Sequence, residues 1–372
     1  MELEATMQKD LLADFLHLYH SLGPRRTGLV ALLEHFDGDP GQVRHCSTNE
    51  LRAAGLRLDT IRKIRSRPHP QVALDLAWAA ASHNHLVYYS HNAYPELLRQ
   101  IDGSPALLYI SGNLQLLLEP QVAIVGSRNC TPGGAQTAFD FAAQLSAGGL
   151  VITSGMALGI DAAAHRGALH ATGKTIAVTG TGLDLIYPCA NRKLATEILE
   201  QGLIVSEFPL GTRAQPANFP QRNRIISGLS MATLVVEAAK RSGSLITARL
   251  AAEQGREVYA IPGSIHNPQT RGCHQLIRDG AMLVETPKDI VAGLSGLVSF
   301  VLEQQFQRPK NQMDRLDRAH QQLLEAIGYD PVNCDILVQR SGLTIDKLSS
   351  MLLVLELSDL IQSAPGGCFV RI

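Results

Sequence analysis

The sequence is short of several features that would point directly to a function. Aromatic residues make up only 5% of its 372 positions, with a single tryptophan, so a surface paved with stacking rings is not expected. Charged residues reach 18%, and 33 Lys/Arg against 34 Asp/Glu leave a formal net charge of −1. That balance excludes a histone-like or polybasic protein. It does not exclude an anion binder, because local clustering of charge matters more than the sum. No run of 18 apolar residues occurs, so no membrane-spanning helix is predicted. The opening Met1-Glu2-Leu3-Glu4 lacks the basic-then-apolar layout of a secretory signal. The six cysteines (Cys46, Cys130, Cys189, Cys273, Cys334, Cys368) are far apart and form no Cys-x-x-Cys pair, which argues against a disulfide framework or a structural zinc site. A cytoplasmic protein of two or three domains is expected.

Residues 1–68 read as a small helical domain. Leu11, Leu12, Phe15, Leu16 and Tyr19 recur at helical spacing, as do Leu29, Leu32, Leu33 and Phe36. Between them Ser21-Leu22-Gly23-Pro24-Arg25-Arg26 reads as a turn, and Ser47 to Leu58 as a further helix. This layout resembles a helix-hairpin-helix or SAM-like module, which serves either nucleic-acid backbone or protein contacts. Residues 69–300 form the main domain, and from about residue 120 short apolar runs alternate with helical segments. The runs are Val122–Val125, Leu150–Thr153, Thr175–Val178, Leu203–Val205, Thr233–Val236 and Glu257–Ile261. Such alternation predicts a parallel sheet covered on both faces, a doubly wound Rossmann-like α/β domain. Residues 301–315 are polar and read as a linker. In 316–372, helices over Leu316–Ile327, Cys334–Arg340 and Thr344–Leu357 precede a hairpin with Gly366-Gly367 at its turn, the layout of a winged helix.

In a doubly wound sheet, ligands bind at the carboxyl ends of the strands. Here those ends carry Gly126-Ser127-Arg128, Ser154-Gly155-Met156, Gly180-Thr181-Gly182, Ser206-Glu207, Glu237-Ala238 and Pro262-Gly263. Small residues let an anion approach backbone N–H groups at helix N-termini, and Arg128 adds a planar cation suited to phosphate. A basic segment follows: between Thr212 and Gly280 there are nine Lys/Arg against four Asp/Glu. It contains Arg222-Asn223-Arg224, Lys240 and Ser242-Gly243-Ser244, candidate phosphate contacts whose alternative roles are salt bridges to Glu207 or Glu237 and an ordinary helix cap.

Catalytic and cofactor signals are thin. Gly173-Lys174-Thr175 imitates the end of a P-loop, but Gly167 lies one residue too far upstream, and the segment follows a helix instead of a strand. Gly173 reads better as a helix C-cap. No G-x-G-x-x-G follows the first strand, so no dinucleotide cofactor is expected. His83 with His85, and Cys273 with His274, fall short of a metal ligand set. Asp161 and His165 share a helix face, where a local hydrogen bond is favoured over a catalytic pair.

Taken together, these segments resemble the DprA/Smf family of bacterial DNA-processing proteins. The resemblance runs through Tyr94-Pro95-x-x-Leu98, Gly126-Ser127-Arg128, Ser154-Gly155-Met156-Ala157-x-Gly159-Ile160-Asp161-x-x-x-His165 and Tyr187-Pro188-x-x-Asn191. It continues through Phe219-Pro220-x-Arg222-Asn223-Arg224-Ile225-Ile226-Ser227-Gly228-Leu229-Ser230, Glu237-Ala238 and Ser242-Gly243-Ser244-Leu245-x-Thr247-Ala248. His274 departs from the asparagine that many members carry. The resemblance implies a homodimeric binder of single-stranded DNA that protects incoming DNA in natural transformation and loads RecA recombinase onto it, with no catalytic residue, cofactor or metal. The implied DNA contacts are Gly126, Ser127, Arg128, Ser154, Gly155, Met156, Arg222, Asn223, Arg224, Lys240, Ser242, Gly243 and Ser244. With so few aromatics, electrostatics is expected to dominate. The winged module, with six Lys/Arg against eight Asp/Glu from Lys310 to Ile372, is expected to add little single-strand affinity. The competing class is a nucleotide-processing enzyme of the lysine-decarboxylase-like Rossmann group, in which Glu207 or Glu237 would be the acid.

Overall fold

The computed structural model describes residues 2–22, 27–294, 318–357, 360–364 and 367–371. The expected linker at 301–315, the residues at 23–26 that would turn into the second helix, and Gly366 of the expected hairpin turn lie outside the described residues.

Nine strands form the main sheet: β1 (Asn84–Tyr88), β2 (Leu107–Gly112), β3 (Gln121–Val125), β4 (Val151–Ser154), β5 (Thr175–Val178), β6 (Leu203–Ser206), β7 (Ala232–Val235), β8 (Glu257–Ala260) and β9 (Met282–Leu283). Their spatial order is β1-β2-β6-β5-β4-β3-β7-β8-β9. From β6 across to β9 every pairing is parallel. The chain steps outward from β3 to β6, then returns to lay β7 against the other side of β3, so the winding reverses between β3 and β7.

The side-chain period of two covers both faces. In β3, Val122 and Ile124 pack with Ala138, Phe141 and Leu145 of the helix Pro132–Ala147, while Ala123 and Val125 pack with Ile225 and Leu229 of the helix Asn218–Leu229. The parallel sheet expected from about residue 120 onward is extended at one end by two strands that the alternating pattern does not include. There β2 pairs antiparallel with β6, and β1 antiparallel with β2. Only residues 113–120 separate β2 from β3, too few for the crossover of a dozen or more residues that parallel strands require.

The helices of the first 80 residues pack onto this antiparallel end. Phe15, Leu16, Tyr19, Leu29 and Leu33 share one core with Leu86 of β1 and with Leu107 and Tyr109 of β2. A polar tie reinforces it: His20 Nε2 lies 2.6 Å from Asp75 Oδ2, and the Tyr109 hydroxyl donates to the same oxygen at 2.8 Å. The single helix expected over residues 47–58 is instead two, Thr48–Ala53 and Leu58–Arg65. Ser47 and Glu50 form a reciprocal capping box at the start of the first, and Gly55, at φ +86°, ends it in the left-handed region that glycine tolerates.

The C-terminal part is a winged helix. Helices Arg318–Ile327, Cys334–Ser341 and Ile345–Leu357 cover a small sheet of β10 (Val332–Asn333), β11 (Ile361–Ala364) and β12 (Cys368–Arg371), ordered β10-β12-β11. Leu323, Leu337, Leu352 and Ile361 form its core. Among the described residues no helix is long and apolar enough to cross a membrane.

Candidate functional site

At the reversal point the loops after β3 and β7 are bonded to one another. Ser127 N–H donates to Glu237 O at 2.7 Å, and Val236 N–H donates to Val125 O at 3.1 Å. The Glu237 side chain turns inward, where its carboxylate accepts from the amide of Thr131 at 2.8 Å and from its hydroxyl at 2.7 Å. Thr131 in turn caps the helix Pro132–Ala147. Burial raises the Glu237 carboxyl above its ordinary range, against the pull of those bonds.

This arrangement opens a cavity of about 740 Å³ in front of the strand ends. Its walls include Gly126, Ser127, Arg128, Arg222, Asn223, Ser242, Gly243 and Ser244, so eight of the thirteen sequence-predicted residues meet in one place. Gly155 and Met156 line a smaller recess of about 80 Å³, into which Arg128 and Arg222 also reach. Lys240 is exposed on a neighbouring cavity. Ser154 and Arg224 are not brought to the site. Ser154 is fully buried in β4, its hydroxyl donating to Ile124 O at 2.6 Å. Arg224 faces the other way and pairs with Glu207.

The helix that brings Arg222 and Asn223 to the cavity is anchored from below. Asn218 Nδ2 donates to Gly180 O at 2.9 Å and fixes the start of the helix Asn218–Leu229 beside the end of β5. One turn on, the buried Arg222 donates from Nη1 to Gly155 O and Val178 O, tying the ends of β4 and β5 together. Among the described residues its Nε finds no hydrogen-bond partner. Burial lowers its guanidinium to about 10, with Asp161 pulling upward and Arg128 pressing down. Asp161 is itself raised by burial despite both arginines, and it accepts from Ala157 N–H at 3.3 Å. A Cβ at Gly155 would lie 2.6 Å from Asp161 Oδ2, so only glycine lets the carboxylate and the guanidinium close on this turn.

Asp161 and His165 do not form a pair. His165 is fully buried, with Nδ1 placed 2.7 Å from Thr175 Oγ1; that hydroxyl donates onward to Ile152 O. Burial and the nearby Arg222 and Arg166 hold the imidazole down at about 3. Gly173, at φ +76°, follows the helix Ile160–Ala171 and donates to Ala168 O, the cap expected of it. Ser242 both caps the helix Gly243–Glu253 and lines the cavity. The Ser127 hydroxyl is already engaged with Gln269 Oε1 at 3.1 Å, and its amide with Glu237, so the rim is less open to an anion than the sequence suggests.

Arg128 is different. It is exposed at the mouth, and among the described residues no carboxylate pairs with it. Its guanidinium lies 5.4 Å from the ring centroid of Phe219, and Phe219 is 5.6 Å from Tyr187. Tyr187 and Phe219, both cavity-lining, were missed as site residues. The Tyr-Pro and Phe-Pro pairs are the only signal, since Tyr187 sits in the loop after β5 and Phe219 in the first turn of the helix Asn218–Leu229 that follows β6. Met156, expected on the rim, has φ +57° and is buried behind it; Asn191 Nδ2 clamps its strained turn by donating to Met156 O at 2.8 Å and Ala157 O at 3.1 Å. Among the described residues no cluster of three or more His, Cys, Asp or Glu is placed to hold a metal.

Comparison with known proteins agrees with this architecture. The sequence model of DNA recombination-mediator protein A matches residues 85–295, and that of the DprA winged helix domain matches residues 307–367. Protein Smf of Escherichia coli is 41% identical over 332 residues, 88% of each chain. The X-ray structure of DNA processing protein A from Streptococcus pneumoniae superposes with a TM-score of 0.67 at 37% identity, covering 76% of this chain and 98% of that one. A structure of the Helicobacter pylori protein, described for its single-stranded DNA binding mode, reaches a TM-score of 0.51 at 32% identity over 56% of this chain and 93% of that one. With more than half its length matched and a relative aligned nearly end to end, the chain belongs to the DNA recombination-mediator protein A family, the DprA/Smf proteins.

Proposed function

We propose that this chain binds single-stranded DNA without reading its sequence, in the cavity at the β3/β7 reversal point. The observation that carries the reading is Arg128 beside Phe219 and Tyr187: an unpaired cation for phosphate and two ring faces for bases share one mouth. The N-terminus of the helix Gly243–Glu253 faces the same space and favours negative charge. Phosphate contacts track the backbone while rings accept any base, which is how single strands are held without specificity.

In the cell this reading makes the chain a homodimer, paired through the Rossmann-like core. It would receive incoming DNA in the cytoplasm during natural transformation, shield it and hand it to RecA recombinase. The division of labour we infer gives strand binding to residues 69–300 and accessory contacts to the helical 1–68 and winged 316–372 segments. The role is binding and not catalysis. A nucleotide-processing enzyme would need Glu207 or Glu237 at the cavity, and these are committed to Arg224 and Thr131.

The test is fluorescence anisotropy with a labelled dT oligonucleotide over a salt series, comparing the parent with Arg128→Ala. Losing one phosphate contact should weaken binding and flatten the salt slope by about 0.7. A parent that fails to bind, or a variant that binds unchanged, rejects the reading.

A further inference from the structure

The helices Thr48–Ala53 and Leu58–Arg65 form a hairpin that turns at Gly55, where φ is +86° and an added Cβ would meet nothing within 4 Å. Leu51, Ile61 and Ile64 seat it from inside, in the core shared with β1 and β2. Its outer side is basic. From Ser47 to Pro68 there are six Lys/Arg against two Asp/Glu. Arg52 and Arg57 flank the turn, Arg62, Lys63 and Arg65 follow on the second helix, and Arg67 stands just beyond it; all six are exposed. Both acids are already engaged. Glu50 closes the capping box with Ser47, and Asp59 meets Arg62 at 3.7 Å, a contact that water weakens. Among the described residues none of the other five cations pairs with a carboxylate. The same stretch contains no Phe, Tyr or Trp.

We propose that this hairpin is a second nucleic-acid surface, one that holds the phosphate backbone of duplex DNA. It is independent of the single-strand cavity. Cations crowded on one short hairpin repel one another, and with no carboxylate to relieve them an external polyanion does so. The helix Leu58–Arg65 is about 12 Å long, and duplex DNA carries about one charge per 1.7 Å of its axis, so several phosphates pass along it. The cations fan out around the solvent side instead of converging on one point, which suits a continuous backbone better than a single phosphate or an acidic side chain. The absence of rings separates duplex from single strand. A single strand exposes base faces that need a stacking partner, as Phe219 and Tyr187 offer in the cavity; a duplex keeps its bases stacked inside and presents phosphates. The winged segment is a poorer candidate, since its helix Ile345–Leu357 carries only Lys347 as a basic residue.

The experiment is fluorescence anisotropy of the full chain with two probes, a labelled blunt duplex and a labelled dT oligonucleotide, each over a salt series. The parent is compared with Arg57→Ala/Lys63→Ala and, separately, with Arg128→Ala. Both positions of the double variant are exposed and alanine suits a helix, so its thermal unfolding should match the parent's. Its duplex binding should weaken, with the salt slope falling by about 1.8, two duplex phosphate contacts. Its dT binding should stay at the parent value. Arg128→Ala should do the reverse, weakening dT and sparing the duplex. A parent that does not bind the duplex overturns the proposal, as does a double variant whose duplex affinity and slope are unchanged. Equal losses on duplex and dT also overturn it, because the hairpin then belongs to the single-strand track. If the double variant keeps its duplex affinity but sediments as a different oligomer, the patch is a contact between copies of the chain, and the proposal falls. Failure of the cavity reading is separate: the parent would not bind dT, or Arg128→Ala would bind it unchanged, whatever the duplex shows.

Discussion

Arg222 and Arg224, two residues apart on one helix, point to opposite sides of it: Arg222 holds Gly155 O and Val178 O beneath the cavity, and Arg224 holds the carboxylate of Glu207. Residues i and i+2 on a helix never share a face, so the pair cannot act as one clamp on a ligand. One arginine builds the floor of the site and the other braces the helix against the end of β6.

Replacing Arg222 by Met should therefore damage the fold first. The substitution removes the tie between β4 and β5 and leaves Asp161 buried with less compensation. A loss of about 3 kcal/mol is expected, read as a lower urea midpoint. A variant as stable as the parent would show that the guanidinium is not structural.

Arg224→Ala separates the two roles from the other side. Its side chain is 17% exposed and that of Glu207 9%, so a loss of about 2 kcal/mol is expected from breaking this largely buried ion pair. Oligonucleotide affinity, measured where the variant remains folded, should stay within about twofold, because surplus cations away from the binding mouth contribute little. A tenfold loss of affinity would put Arg224 back in the site.

Much of the fold was legible because β3 to β8 are short apolar runs closed by small residues, the signature of strands buried on both faces. The ends of the sheet lacked it. β9 is only Met282–Leu283, both exposed, and β1 begins with Asn84-His85, so neither reads as a buried strand. The site was legible where it is glycine and charge, as at Gly126-Ser127-Arg128 and Ser242-Gly243-Ser244. It was illegible where function depends on direction: Ser154 and Arg224 carry suitable chemistry but face away, while Tyr187 and Phe219 meet only where the loop after β5 folds against the start of the helix Asn218–Leu229.

Phe219→Leu tests the aromatic share of binding, which the low aromatic content concealed. Stacking of one base on a ring contributes about 1–3 kcal/mol. Affinity for dT should fall accordingly while the salt slope stays at the parent value, since no phosphate contact is lost. A variant whose slope falls together with its affinity would mean that Phe219 acts only by positioning Arg128.

His165 supplies a pH signature. Its folded value, about 3, lies below the ordinary 6.5, so below pH 6.5 the unfolded chain takes up a proton that the folded chain refuses. Stability from this group is complete above pH 6.5 and declines as pH falls from there towards 3, by up to about 1.4 kcal/mol per pH unit. Asp161 and Glu237, raised by burial, act in the opposite sense over the carboxylate range. His165→Asn can keep a donor to Thr175 without the titration, so the difference in stability between parent and variant isolates the histidine. That difference should shift against the parent below pH 6.5; a constant difference would show that the folded chain takes up the proton as readily as the unfolded one.

Gly159→Ala tests how the β3 loop is held. Gly159 has φ +75°, and a Cβ there would collide with the carbonyl oxygens of Ser127 and Arg128. The same Ser127 oxygen accepts from Ile160 N–H at 3.1 Å, so the helix Ile160–Ala171 and the arginine-bearing loop are packed backbone to backbone. The methyl must push this loop outward, and the positive φ adds strain that alanine tolerates poorly. Oligonucleotide affinity should fall about as far as in Arg128→Ala, because the displaced residue is Arg128 itself, whereas Gly28→Ala, outside the cavity and with nothing within 4 Å of the added methyl, should leave affinity close to the parent value. If Gly159→Ala folds and binds like the parent, the loop does not depend on this contact, and the placement of Arg128 must come from Phe219 instead.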